Sequence, residues 1–242
     1  MASESRLTPK NVIIVAFVLL TVGAGGAGMY LAEKHFYGPL REQKRLVENL
    51  KLVVTQLTRD IRIADVAVLE QTGNPLTTTI KFVEVDEQHK AIGPVRKFTF
   101  SGDEVYFDSL VIKFEEPFKP LNELPLKQQD LAPTLMNKAI IFFRRAFSDK
   151  QKPEDGFPLD TPGCAPEPYR HKGPPSAFEQ QLWQQFWDLA NDPKLAKEHG
   201  VRAAHGQAVS MKLRKDKYYV IEQRVTGDMT IRPVDVPDVL KN

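Results

Sequence analysis

Residues 95–114 read VRKFTFSGDEVYFDSLVIKF. Phe98 and Phe100 alternate with Lys97 and Thr99, the two-residue period of a half-buried strand. Ser101-Gly102-Asp103 supplies turn chemistry, and a second β-type run follows. The spacing predicts a hairpin of strands 95–101 and 104–114. Upstream, runs 65–71 and 77–86 have the same character, separated by Thr72-Gly73-Asn74-Pro75 and closed by Gly93-Pro94. Downstream, strands are expected at 206–214, 218–226 and 229–234, joined at Lys215-Asp216-Lys217 and at Gly227-Asp228.

The chain between these strand groups differs in composition. Pro117, Pro120, Pro125 and Pro133 break any long element. Residues 134–147, TLMNKAIIFFRRAF, read as a short helix with a broad apolar face. Residues 149–175 are rich in Pro and Gly, and a loop of that length in a compact domain is either ordered over a partner or mobile. Ser176 with Glu179 three residues on forms a capping box that opens the helix AFEQQLWQQFWDLAND. Pro193 starts another short helix. The expected fold class is α+β: an antiparallel β-rich head, residues 64–242, with a helical and loop insertion at about 117–204. The two strand groups share one sheet or a sandwich.

Before the head, residues 11–32 (NVIIVAFVLLTVGAGGAGMYLA) carry no charge and are flanked by Lys10 and Glu33-Lys34. A helix of about 22 residues is about 33 Å long and crosses a hydrocarbon core of roughly 30 Å. The expectation is a short tail, 1–10, then an uncleaved signal-anchor, 11–32, because the apolar run continues past the small residues that would mark a cleavage site. Gly23, Ala24, Ala27 and Gly28 form two small-xxx-small pairs suited to helix packing in lipid. Arg6, Lys10 and the amino terminus favour a cytoplasmic N-terminus, although Lys34, Arg41, Lys44 and Arg45 weigh the other way. The head is then extracytoplasmic, and periplasmic in a Gram-negative source.

Residues 33–63 are expected to form a helical stalk. Leu40, Val47, Val54 and Ile61 are seven apart, and Gln43, Leu50 and Leu57 fall three after the first three. That is an a/d seam of about three heptads that would support self-association. Leu46, Leu52 and Val53 widen the apolar face, as in a single helix packed on its own domain.

Composition narrows the function classes. The 242 residues carry 33 Lys and Arg against 31 Asp and Glu, a net charge of +2 without the basic footprint of a nucleic-acid binder. Mean hydropathy of −0.33 excludes a polytopic membrane protein. The single cysteine excludes an internal disulfide and multi-cysteine metal sites. Cys164, near His171 in a flexible loop, is the one thiol a membrane-tethered enzyme could use. The five histidines, at 35, 89, 171, 199 and 205, match no ligand spacing. HExxH, GxSxG, P-loop and GxGxxG motifs are absent. No catalytic residue, cofactor or metal is therefore assigned. Phe178, Trp183, Phe186 and Trp187 crowd aromatic surface onto one helix, a candidate partner surface whose alternative is core. The expected function is a single-pass, non-enzymatic structural or interaction protein whose head binds another envelope component. A small-ligand-sensing head is an alternative.

Overall fold

The computed structural model describes residues 29–30, 33–57, 59–124, 134–170, 173–205 and 208–234. The chain divides into two units, residues 1–47 and 48–242. The first contains a π-helical turn, Glu33–Tyr37, that runs into helix α1, Gly38–Gln56. A Cβ at Gly38 would lie 2.8 Å from the Glu33 carbonyl oxygen, so the turn requires glycine there. Arg41 pairs with Glu33 at 2.8 Å. Among the described residues no helix is long and apolar enough to cross a membrane. The expected span 11–32, with Gly23, Ala24, Ala27 and Gly28, lies outside the described residues apart from Met29 and Tyr30.

The stalk expectation is corrected in part. Leu50, Val53, Val54 and Leu57 are buried within the chain, Leu46 and Val47 are half-buried, and Leu40 is exposed. Leu46, Leu50, Val53 and Leu57 follow the 3.6-residue period of one helix face. Leu50, Val53, Val54 and Leu57, all within residues 48–242, are buried there, and Leu50, Val54 and Leu57 are not available as a seam. Ile61 is not helical at all; it begins the first strand.

The head is two five-stranded antiparallel sheets packed face to face. Strands β1 (Ile61–Thr72), β2 (Thr77–Val85), β3 (Arg96–Ser101), β9 (Tyr218–Arg224) and β10 (Met229–Val234) form the first, in the order β10-β9-β1-β2-β3. Strands β4 (Glu104–Lys113), β5 (Ala139–Ser148), β6 (Phe157–Pro158), β7 (Arg202–His205) and β8 (Val209–Lys212) form the second. In that sheet β7 and β8 occupy successive lengths of the same edge of β4. The core between the sheets takes Ala64, Val66 and Val68 from β1, Ile80 and Phe82 from β2, and Val105, Phe107, Phe143 and Ala146 from β4 and β5.

Three local expectations change. The expected strands 95–101 and 104–114 form as Arg96–Ser101 and Glu104–Lys113, but they are not a hairpin. β3 pairs with β2, β4 pairs with β5, and Gly102 (φ +88°) turns the chain from one sheet into the other. Residues 139–148 are strand, not helix. Phe143 and Ala146 face the inter-sheet core, while Phe142 packs under a helix on the other side. A strand covered on both faces has no two-residue alternation to reveal it. The insertion 117–204 is thus more than a cover, since it contributes β5, β6 and β7 to the second sheet.

Helix α2, Ala177–Asn191, begins with the expected capping box: the Glu179 amide donates to Ser176 Oγ at 3.2 Å, and the Ser176 amide to Glu179 Oε2 at 2.8 Å. The helix lies on the outer face of the second sheet, where Phe142 meets Trp187 at 4.5 Å and Phe114 meets Phe186 at 5.3 Å between ring centroids. Phe178, Trp183, Phe186 and Trp187 are all buried. The aromatic face of α2 is core, because the sheet beneath it is equally aromatic, and it does not form the exposed partner surface. A short helix, α3 (Pro193–Glu198), follows with Asp192 as its N-cap.

Candidate functional site

The proline-rich segment between β5 and α2 forms a ridge, residues 159–170, across the head, and the sequence gives no reason for it to stay in place. Its anchor is Arg62. This side chain leaves β1 on the inner face, where its neighbours Ala64 and Val66 are core, and its surface is almost wholly buried. All five guanidinium N–H donors are used. Nε and one terminal nitrogen donate to the two oxygens of Glu84 at 2.7 and 2.8 Å. Both terminal nitrogens donate to Asp160, at 2.6 and 2.9 Å, and one also donates to the Ile141 carbonyl at 2.8 Å. The guanidinium stands 4.5 Å above the Phe143 ring and 5.8 Å from that of Tyr169. Burial alone would lower the Arg62 pKa, but Asp160 and Glu84 hold it well above its ordinary value. Burial pushes Glu84 up while Arg62 pulls it back. Both Glu84 oxygens accept from Arg62, so this geometry takes the ionised carboxylate.

Asp160 carries the fixation into the ridge. It accepts from the Phe143 amide at 2.7 Å, and its own amide donates to the Phe143 carbonyl at 2.8 Å. Tyr169, within a 3₁₀ turn, Glu167–Tyr169, accepts from the Ile141 amide at 3.0 Å; burial pushes its pKa up to about 12. Trp187 Nε1 donates to the Cys164 carbonyl at 2.8 Å. Arg96 completes the charge balance. Its guanidinium donates to the Leu159 carbonyl, lies 5.2 Å over Phe82, and leaves a buried Nε without a partner. Two arginines therefore face two carboxylates, and the node is neutral. Removing one member leaves the others buried without their counter-charge, which is strongly destabilising.

Two cavities flank the ridge. One, of about 350 Å³, lies between the ridge and α2 and is lined by Cys164, Tyr169, Arg170, Pro175, Gln180 and Trp183. Its floor is the stacked pair Tyr169 and Trp183, 5.8 Å apart at 21°. The other, of about 320 Å³, is walled by Pro158, Pro162 and Trp187 and carries Arg144 and Arg145. A smaller pocket of about 140 Å³ opens beside Arg96, Asp160 and Arg170. The ridge is thus tied to the sheets at Asp160 and Tyr169, with a recess on each side.

The chemistry weighed from sequence is dispersed. Cys164 is exposed, and His171 lies outside the described residues. His199 bonds the Lys119 carbonyl through Nδ1 at 2.7 Å. Among the described residues no three His, Cys, Asp or Glu side chains are placed to hold a metal ion. Arg62 falls inside the range 33–63 expected to be stalk, so its place in the head is not legible from the sequence pattern. The available signals were one arginine between Ile61 and Ile63, and one glutamate in Phe82-Val83-Glu84-Val85. Searches of family models, curated proteins and solved structures find no match to the chain.

Proposed function

We propose that this is a membrane-anchored, non-enzymatic binding protein whose head presents the ridge 159–170 and its flanking recesses to another component of the cell envelope. The uncharged run 11–32 supports the anchor. The observation that carries the binding reading is the Arg62–Glu84–Asp160 node. Two of the five Arg62 hydrogen bonds tie Asp160, at the start of the ridge, to the sheets, and the other three hold the guanidinium itself in place through Glu84 and the Ile141 carbonyl. The basic residues Arg6 and Lys10 support a head outside the cytoplasm. Self-association through the stalk seam has little left to use, since Leu50, Val54 and Leu57 are inside the head.

Site-specific photo-crosslinking of the intact protein in its own membranes tests this reading. A crosslinker at Gln180, beside the ridge, is expected to give one discrete adduct, and one at Thr99, on the far sheet, none. Equal adducts from both positions, or none from Gln180, would contradict the binding face. Alkaline extraction checks the anchor: the protein is expected in the membrane pellet and, after deletion of residues 11–32, in the supernatant.

A further inference from the structure

The recess beneath Pro158 and Pro162 has a specific electrostatic character. Phe143 and Ala146 both face the inter-sheet core, yet two residues separate them where a regular strand has one. The register of β5 slips at this point: Ser109 pairs with Phe143 and Asp108 with Arg145, and Arg144 is the extra residue. The bulge therefore turns two consecutive arginines to the outer face, a re-aiming typical of bulges beside functional surfaces.

The two arginines share one carboxylate. Asp108 lies 3.5 Å from Arg144 and 3.7 Å from Arg145, both long for a charge-assisted contact. Arg145 also donates to the Pro153 carbonyl at 2.6 Å. Among the described residues the 3.5 Å contact is the one side-chain hydrogen bond of Arg144, which leaves the guanidinium further donors for an anion. Burial lowers the Arg145 pKa, and the repulsion of Arg144 outranks the attraction of either Asp108 or Glu154. Glu154 stands exposed on the lip of the recess.

We infer that the ridge face takes a short acidic segment of a partner protein, with a carboxylate seated between Arg144 and Arg145 and an apolar side chain in the adjoining Tyr169–Trp183 cleft. This rests on the binding reading above and gives that partner its chemistry. Trp183 lines one recess and Trp187 the other. They are one helical turn apart, so both recesses border the same stretch of α2. A recess walled by two prolines and a tryptophan fits one side chain with its stem.

The test is selection of random short peptides on the intact protein in neutral-lipid nanodiscs, followed by titration of the selected peptides. The chain has two tryptophans, Trp183 and Trp187, so intrinsic fluorescence reports on this face. Enriched peptides are expected to place Asp or Glu close to a large apolar residue. Replacing that acid by its amide is expected to weaken binding about tenfold, and R144Q/R145Q to weaken it by a similar factor, the effect of roughly one charge-assisted pair. R144K/R145K keeps the charge and is expected to retain most of the affinity, which separates electrostatics from misfolding. Peptides that bind equally well without the acid would overturn the acidic partner while leaving the binding face intact. Failure to enrich any peptide would overturn both. A fluorescence response confined to anionic-lipid nanodiscs or to inorganic phosphate would replace the protein segment by a headgroup or a free anion.

Discussion

Strand β1 carries a buried charge on each face, and the two are handled differently. On the inner face Arg62 meets two carboxylates, a carbonyl and two rings, and all its donors are used. On the outer face Asp65 is fully buried among Val83, Val220, Ile63 and Ala67, opposite Val83 and Val220 in the sheet register. Its side-chain partner is His89 Nδ1, at 3.0 and 3.1 Å, on a ring that is 38% exposed. A turn built around Asp86, which accepts from the amides of Gln88 and Lys90, aims His89 at Asp65 with φ +58°. Burial pushes the Asp65 carboxyl up, and His89 offsets this in part. The comparison separates two uses of buried charge. The saturated inner group fixes a distant loop, whereas the sparsely paired outer group remains sensitive to pH.

The largest break in this comparison is Arg62→Met. It leaves Glu84 and Asp160 buried without their cation and is expected to cost about 3–5 kcal/mol. Urea unfolding of the intact protein in detergent, followed by Trp183 and Trp187 fluorescence, measures it. A loss below about 1 kcal/mol would mean that the node is solvated and not structural. Asp160→Asn keeps the shape and removes one charge, and about 2–3 kcal/mol is expected from the same titration. Ser176→Ala removes the α2 cap and is expected to cost about 1 kcal/mol, with the ridge unaffected.

The smallest effect is on the outer face and is a matter of sign. The folded-state pKa of Asp65 is raised, so the folded protein holds this proton more tightly than the unfolded chain. The resulting stability is present below the ordinary carboxylate range and is lost as pH rises through the raised folded value. Asp65→Asn removes this dependence. In paired urea titrations across acidic pH, the variant should gain on the wild-type protein as pH rises, then hold a constant margin. A margin that grows as pH falls would show that His89 dominates and that Asp65 is a well-paired carboxylate.

The sequence showed the elements whose signal is local. Strand 229–234 and the Ser176–Glu179 capping box appear where side-chain period and cap chemistry put them. Gly102 was legible as a turn, but turn chemistry does not say which sheet receives the chain, so a corner was read as a hairpin. β5 is not legible as a strand because AIIFFRRAF is apolar on both faces, a pattern that helix and buried strand share. The aromatic helix lies where its capping box puts it, but its apolar face is covered by Phe142 of β5 and by Phe114, just past the end of β4. The node was the least legible feature. Arg62, Glu84 and Asp160 are 22 to 98 residues apart in sequence, and only the sandwich brings them together.

Arg62, through Asp160, holds the ridge against the sheets. Hydrogen exchange of the intact protein tests it most directly. The amides of Leu159, Asp160, Cys164 and Tyr169 donate within the head. They should exchange slowly in the wild-type protein and become fast in Asp160→Asn, while those of β9 stay protected in both. Ridge amides that exchange in the wild-type protein as fast as free chain would contradict the account.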